Sequence, residues 1–142
     1  MPVMTQEEYL AFLAEGTKTG KLATVRYDGR PHVVPIWFVL DGEKLIFTTG
    51  ESSVKAKNMM RDSKVSISVD DQIPPYSFVT VEGTVSISEN SEEMLYWATR
   101  IGARYMGDEQ AEAFGKRNAV KGELLVTITP SKVIAYRDVT AW

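Results

Sequence analysis

Hydroxyl and ammonium groups are concentrated in one short segment of the sequence, FTTGESSVKAKNMMRD. Thr48 and Thr49 end a strand-like run. Ser52 or Ser53 can cap the helix that follows, and Lys55 falls in the first turn of that helix. A lysine there is unfavourable by itself, because the N-terminus of a helix carries partial positive charge. Free backbone amides, hydroxyl groups and an ammonium group that meet at one point would instead favour a bound phosphate.

The lysines of this segment also have a simpler interpretation, in which Lys55 and Lys57 are solvated on the protein surface. Their unfavourable interaction with the helix dipole would then cost only about 0.3–1 kcal/mol, and salt would weaken it. The local sequence leaves both the phosphate site and the solvated surface open.

Composition limits the classes of function that the chain can have. With 142 residues, 44% of them hydrophobic, it can form one domain with a sizeable core. A net charge of -3 gives no support to general nucleic-acid binding, so we expect no nucleic-acid partner. The sequence has no cysteine and a single histidine, His32, which excludes disulfides, thiolate metal sites, cysteine nucleophiles and multi-histidine metal sites. Without a membrane-length apolar run or a signal-peptide pattern, we expect no membrane partner and a cytoplasmic location.

The elements around the segment are mainly predicted β-strands. Asp28 and Gly29 form a strong hairpin signal between strands at 21–27 and 32–40. A third strand at 44–49 would complete a three-stranded meander. Both faces of the run at 32–40 are apolar, so we expect this strand to be buried on both sides.

The later strands follow the same alternating pattern. A half-exposed strand is predicted at 65–69 and a longer one at 76–87, in which Gly83 marks a bend or bulge. Two closing strands are predicted at 124–129 and 132–136, separated by a proline and a serine.

Three further helices are predicted besides the one that carries the lysines. The first begins with a capping box at Thr5 and can end at Gly16, the second begins with another at Asn90, and a short acidic helix occupies 108–116. Six or seven antiparallel strands with short turns and few helices favour a mostly β barrel with peripheral helices over a doubly wound sheet.

The order of these segments resembles the pyridoxamine 5'-phosphate oxidase-like split-barrel superfamily. Within it, the chain is most similar to the branch of oxidoreductases that depend on the deazaflavin coenzyme F420. The similarity covers nearly the whole chain and includes the motifs DGRPHVVPIWF, SVKAKNMMRD and ARYMG. It implies a six- to seven-stranded antiparallel split barrel, FMN-binding-like, that forms a homodimer with a flavin-like cofactor in a groove between the chains.

The resemblance assigns hydroxyl and cationic side chains to the phosphate end of the cofactor: Thr48, Thr49, Ser53, Lys55, Lys57 and Arg61. Lys55 would contact the phosphate itself, while Lys57 and Arg61 would be available to the phosphate or to an acidic tail beyond it. Many relatives carry an arginine next to this lysine or two residues before it. Val54 and Ser53 stand at those places here, which weakens the predicted phosphate clamp.

The resemblance places the ring system of the cofactor along the strand from His32 to Phe38, and His32 is thereby one of the expected cofactor-binding residues. The residues closest to the rings would be Pro35, Ile36 and Trp37. Of the other tryptophans, Trp97 is expected on the apolar face of its helix. Trp142 is expected to dock on the dimer partner as part of the chain end.

The implied chemistry belongs to the cofactor, while the protein binds and orients it. Reduced F420 would pass a hydride to an electron-poor double bond or aromatic ring of a small substrate in the groove. Water or one of three side chains, Tyr76, Tyr105 and His32, would protonate the product. His32 shares a face with Val34 and Ile36, so it can also be a histidine that is satisfied within the core or an interface.

Other functions are compatible with the same residues. The nearest alternative keeps the fold but binds FMN, as an oxidase, a reductase or a relative of haem-utilisation proteins, because the phosphate site is shared. A second is a non-catalytic protein that stores or senses a flavin. A serine hydrolase is a remote third, because the sequence lacks a G-x-S-x-G motif.

Overall fold

The computed structural model describes residues 2–141, which form seven strands and four helices. Trp142, which was predicted to dock on a dimer partner, lies outside the described residues. The elements in chain order are α1 (Gln6–Ala14), β1 (Gly20–Val25), β2 (Pro31–Ile36), β3 (Val39–Asp41), β4 (Lys44–Gly50), α2 (Val54–Arg61), β5 (Lys64–Asp70), β6 (Phe78–Ser88), α3 (Ser91–Met106), α4 (Asp108–Asn118) and β7 (Glu123–Tyr136).

The strands form one antiparallel sheet in the order β2, β1, β5, β6, β7, β4, β3. β2 and β3 are consecutive in the chain but lie at opposite ends of this order. The short connection from Ile36 to Val39 therefore brings the two ends of the sheet together, as closure of a barrel requires. The predicted mostly β fold with antiparallel strands and peripheral helices is confirmed, and the sheet is consistent with a split barrel.

The predicted strand at 32–40 is divided in two, and the prediction of a simple three-stranded meander is wrong. β2 pairs with β1, whereas β3 pairs with β4, so the two halves lie beside different neighbours. The prediction that this run is buried on both sides is also wrong, since Val33 is 62% exposed and Trp37 is 40% exposed. Ile36 and Phe38 lie in the core. The outward face of β2 is not covered by any other part of residues 2–141.

The predicted strands at 124–129 and 132–136 form one continuous strand, β7, so the predicted break at Pro130 is wrong. The bulge predicted at Gly83 is confirmed, because the register of β6 and β7 shifts between Glu82 and Gly83. Gly83 lies opposite Pro130. Proline lacks an N–H group and is tolerated in strands at bulges. The register shift leaves Ser131 of β7 without a paired residue in β6, and this irregularity accommodates Pro130 without ending β7.

Side-chain caps begin the helices where the sequence predicted them. The Thr5 hydroxyl accepts a hydrogen bond from the Glu8 amide at 3.2 Å, and the Glu8 carboxylate accepts one from the Thr5 amide at 2.9 Å. Asn90 caps α3 by accepting from the Glu93 amide at 3.0 Å. These caps satisfy amides that would otherwise lack a partner at the start of α1 and of α3.

Buried apolar side chains form two clusters. The larger fills the interior of the sheet and includes Leu22, Phe38 and Phe47. The smaller joins Met94 and Ile101 of α3 to side chains of β3, β4 and β7, which fixes α3 against the sheet. Within residues 2–141, no helix is both long enough and apolar enough to cross a membrane.

Candidate functional site

The connection from β4 to α2 uses two of the predicted hydroxyl groups to start the helix. Ser53 is the cap of α2, and its hydroxyl accepts from the Ala56 amide at 3.1 Å. The hydroxyls of Ser53 and Thr49 lie 3.0 Å apart, and Thr49 is buried. Thr48 is the neighbouring residue in β4, and its side chain lies on the opposite face of the strand. Thr49 and Ser53 therefore hold the start of α2, whereas Thr48 lies where a ligand could reach it.

A cavity of about 290 Å³ lies beside this connection. It brings together five of the predicted cofactor-binding residues: Pro35, Ile36, Trp37, Thr48 and Lys55. The remaining lining comes from α3, α4 and β7, through Ile101, Phe114, Asn118 and Glu123. The cavity thus has an apolar part formed by the end of β2 and a charged part formed by Lys55 and Glu123.

The charged part of the cavity contains one cation and one carboxylate. Burial lowers the pKa of Lys55, and the charge of Glu123 partly offsets that effect. Burial raises the pKa of Glu123, and the charge of Lys55 opposes this in turn. Among the ion pairs of residues 2–141, none joins these two side chains directly. Lys55 therefore stays available to an anion while it is attracted to Glu123.

The apolar part of the cavity is bounded by a stack of aromatic rings. The rings of Trp37 and Tyr105 lie parallel, with centroids 4.9 Å apart and 2° between their planes. The ring of Phe114 is tilted against Trp37 at 5.8 Å. The Tyr105 hydroxyl donates to the carbonyl of Lys18 at 2.7 Å and accepts from the Phe38 amide at 3.2 Å. Tyr105 therefore supports the Trp37 ring and ties α3 to the break between β2 and β3.

Arg104 also holds the break between β2 and β3 in place, and it was not predicted as a site residue. Its guanidinium group donates to the carbonyls of Leu13 and Phe38 at 2.7 Å and of Gly16 at 2.9 Å. Burial lowers the pKa of Arg104, and Tyr105 partly offsets this. Arg104 thus joins the end of α1 to the strand break, and the motif ARYMG was the signal that contained both residues.

His32 lies on the inner face of β2, outside the lining of the Lys55 cavity. It is opposite Thr24 of β1, and the Thr24 hydroxyl accepts from the Asn58 side chain of α2 at 3.0 Å. The His32 Nδ1 atom is buried without a hydrogen-bond partner. The structure therefore places His32 near a buried polar pair and not beside Lys55.

The two other predicted cations of α2 are not in the cavity. Lys57 is exposed on the helix, and Arg61 donates to the carbonyl of Val25 in β1. Arg61 is the last residue of α2, whereas Lys55 is in its first turn. The helix therefore presents one lysine to the cavity and directs its final arginine to another strand.

Tyr76 lies beside a separate cavity, which is also lined by Lys21, Asp70 and Phe78. It follows a cis peptide bond at Pro74-Pro75 and has a positive φ of 60°. Its carbonyl accepts from the Val139 amide at 2.8 Å. The structure thus separates the three candidate proton donors, since Tyr76, Tyr105 and His32 lie in three different surroundings.

Several lining residues were missed by the sequence analysis. The acidic helix predicted at 108–116 contributed no predicted site residue, yet Phe114 and Asn118 of α4 line the cavity. Their spacing of four residues places them on one face of a helix, which is a signal that the sequence did contain. Glu123 gave no such signal, because its position in the cavity depends on the pairing of β7 with β4.

Known proteins resemble this chain over nearly its whole length. The family profile described as pyridoxamine 5'-phosphate oxidase matches residues 5–135. Among solved structures, a conserved hypothetical protein, Rv2991 from Mycobacterium tuberculosis, is 26% identical, with 99% of this chain and 90% of that chain covered and a TM-score of 0.85. An F420 reductase is 30% identical, with 87% of this chain and 94% of that chain covered and a TM-score of 0.70.

A heme storage protein, HutZ from Vibrio cholerae, shares the fold at 21% identity, with 93% of this chain and 96% of that chain covered and a TM-score of 0.72. The same architecture therefore occurs in proteins with different ligands. Because the family profile spans nearly the whole chain and the sheet and helices agree with it, the chain belongs to the pyridoxamine 5'-phosphate oxidase family, within the split-barrel superfamily that also contains an F420 reductase.

Proposed function

We propose that the protein is an oxidoreductase that binds the deazaflavin coenzyme F420 and transfers a hydride between it and a small unsaturated or aromatic substrate. The observation that carries the proposal is the cavity in which Lys55 and Thr48 lie next to the end of β2. The 30% identity to an F420 reductase over 87% of the chain supports the choice of coenzyme.

The residues of the cavity fit a ligand with one anionic part and one flat apolar part. Lys55 and Thr48 offer an ammonium and a hydroxyl group to a phosphate. Pro35, Ile36 and Trp37 offer apolar surface to a ring system. When bound, the coenzyme would supply the hydride chemistry, and the side chains named here would bind and orient it.

The protein groups around the cavity would keep the coenzyme in position. Tyr105 and Arg104 hold the strand break at Phe38, so the Trp37 ring is supported on one side. Burial raises the pKa of Tyr105, and its hydroxyl donates to the carbonyl of Lys18. We therefore assign Tyr105 a positioning role and leave protonation of the product to water, because neither His32 nor Tyr76 lines the cavity.

We also propose that the active form is a homodimer, in agreement with the groove implied by the resemblance. The outward face of β1 and β2 exposes apolar side chains, with Val33 62% exposed and Val25 42% exposed. A second copy over this face would cover those side chains and close the groove beside Pro35. Light scattering tests this directly, and a monomer at assay concentration would reject the shared groove.

An FMN-dependent oxidase or reductase is the second candidate function. The profile that matches the chain is that of pyridoxamine 5'-phosphate oxidase, and the same lysine could hold the phosphate of FMN. The two coenzymes have different visible spectra, so titration with each one, followed in the visible range, separates the two candidates.

The decisive experiment is titration of the wild-type protein with F420 in both redox states and with FMN. We expect a dissociation constant for F420 in the micromolar range or tighter, which corresponds to about 8 kcal/mol. Lys55→Ala should weaken binding at least about tenfold, which is about 1.4 kcal/mol. Lys44→Ala is the control, because Lys44 is an exposed lysine that does not line the cavity, and it should change affinity little.

Transfer of the hydride is tested next, with the oxidation of reduced F420 followed in the presence of quinones, enones and nitroaromatic compounds. Turnover of any one of these three classes of compound supports the proposed enzymatic activity. Tight binding of F420 without transfer to any of them would favour a non-catalytic binding protein. Equal affinity of the wild type and Lys55→Ala would reject the proposed site.

A further inference from the structure

Glu123 brings a negative charge into the part of the cavity that is proposed to hold a phosphate. It is the first residue of β7 and pairs with Gly50, the last residue of β4. Its carboxylate lies over Gly50, with Oε2 3.8 Å from the place where a Cβ atom on that glycine would be. Lys55 and Thr48 line the same cavity. An anion bound to Lys55 would therefore lie close to a carboxylate as well.

The other lining residues add no charge. Pro35, Ile36, Trp37, Thr48, Ile101, Phe114 and Asn118 are all neutral. Lys57 is exposed, and Arg61 donates to the carbonyl of Val25 at the other end of α2. Ser53 and Val54, which precede the lysine, carry no charge either. The lining of the cavity thus has a formal charge of zero, from one ammonium and one carboxylate.

Phosphates differ in how well they suit such a neutral site. A phosphomonoester carries about -1.5 to -2 charges at neutral pH, because its second pKa is about 6. A phosphodiester has no second ionisable proton and carries one negative charge. A single ammonium group neutralises the diester, whereas the second charge of a monoester would remain unpaired beside Glu123 in partly buried surroundings, where like charges are costly.

We propose that Glu123 is a specificity-determining residue, which makes the cavity select a coenzyme whose phosphate is a diester over one whose phosphate is a monoester. This inference rests on the proposed function, because it takes Lys55 as the phosphate ligand. F420 carries its phosphate as a diester, and FMN carries a monoester. Glu123 therefore acts mainly by disfavouring the wrong coenzyme, a recognised route to specificity.

The test uses two deazaflavin ligands with the same rings and side chain, one with a 5'-phosphate monoester and one with the methyl diester of that phosphate. We expect the wild type to bind the diester at least about tenfold more tightly. Glu123→Gln keeps the shape of the side chain but removes its charge. It should tighten binding of the monoester about tenfold, change the diester less and bring the ratio of the two affinities close to one.

Glu51→Gln is the matched control, because Glu51 is an exposed glutamate next to Gly50 and does not line the cavity. It should leave the ratio near the wild-type value. An unchanged ratio in Glu123→Gln, with both ligands still bound, would overturn the role of Glu123 and leave the proposed function intact. Failure of the wild type to bind either ligand would overturn the proposed function, and this inference with it.

Discussion

The indole ring of Trp37 lies parallel to the phenol ring of Tyr105, with their centroids 4.9 Å apart and their planes at 2° to each other. Trp37 belongs to the turn where the chain leaves one end of the sheet for the other, and Tyr105 belongs to α3. The stack therefore fixes one wall of the cavity to a helix outside the sheet. Aromatic pairs of this kind contribute about 0.5–1.5 kcal/mol beyond the area that they bury.

Tyr105→Phe should destabilise the protein while it keeps this stack. The substitution removes the hydroxyl that bonds to the Lys18 carbonyl and the Phe38 amide, so two partly buried backbone groups lose their partner. We expect a loss of about 1–3 kcal/mol in the free energy of unfolding, measured by urea denaturation. Tyr96→Phe is the control at an exposed tyrosine and should cost less than about 0.5 kcal/mol. Equal stability of the two variants would contradict the bridging role of Tyr105.

Arg104→Lys should also be destabilising, although it keeps the charge. The planar guanidinium group donates to carbonyls of Leu13, Gly16 and Phe38 in different directions, and one ammonium group cannot reproduce that geometry. We expect a loss of about 2–3 kcal/mol in the free energy of unfolding, because hydrogen bonds from charged groups are among the stronger ones.

Arg100→Lys serves as the control for that experiment. Arg100 is exposed on the same helix, above the rings of Tyr96 and Trp97, and its replacement should cost less than about 1 kcal/mol. If both arginine variants unfold at the same urea concentration, the hydrogen bonds from Arg104 to the three carbonyls do not contribute the predicted stability.

The sequence predicted the parts of the site that depend on local rules. The run of hydroxyls before Lys55 indicated a capped helix start, and Ser53 does cap α2. The positions that it missed depend on contacts between distant segments. Glu123 lines the same cavity as Lys55 because β7 pairs with β4, and no residue near Glu123 in the sequence encodes that pairing.

The fold, like the site, was predicted where neighbouring residues determine the structure and was missed where contacts between distant segments determine it. Alternating patterns and turn residues predicted antiparallel strands and the place of most of them, although 32–40 contains two strands and 124–136 belongs to one. They did not predict that the chain breaks near Trp37, because this break follows from closure of the sheet, with β2 and β3 at its two ends. The apolar outward face around Val33 was interpreted as buried, since a sequence pattern cannot distinguish burial within one chain from a face that one chain leaves exposed.

Trp37→Ala should weaken binding of F420 by about threefold to tenfold, because the cavity loses the aromatic surface that the rings are proposed to contact. Trp37→Phe keeps a smaller ring and should lose less. Affinity is measured by visible-range titration, with Trp97→Phe as a control for a tryptophan that does not line the cavity. If Trp37→Ala binds F420 as tightly as the wild type, the ring system of the coenzyme does not contact Trp37.

Gly83→Ala should disturb the pairing of β6 with β7. A Cβ atom at this position would lie 2.4 Å from the carbonyl oxygen of Thr129 and 3.1 Å from a methyl group of Ile128. Because backbone must move to relieve the first contact, we expect a loss of about 1–3 kcal/mol in the free energy of unfolding. Gly50→Ala is the control within a strand, since its nearest neighbour would be at 3.8 Å, and it should be nearly neutral or slightly stabilising.

The affinity for F420 should fall at high pH because of Lys55. Burial lowers the pKa of this lysine below the ordinary value of 10.5, and Glu123 offsets only part of that shift. Below the lowered pKa the side chain is charged and binds the phosphate. As the pH rises through that pKa the charge is lost, so affinity should decline earlier than for an ordinary lysine. Titrations from about pH 7 to about pH 10 measure the decline. Lys55→Ala corrects for ionisation of the coenzyme, and identical profiles for the two proteins would show that the ammonium group of Lys55 does not hold the phosphate.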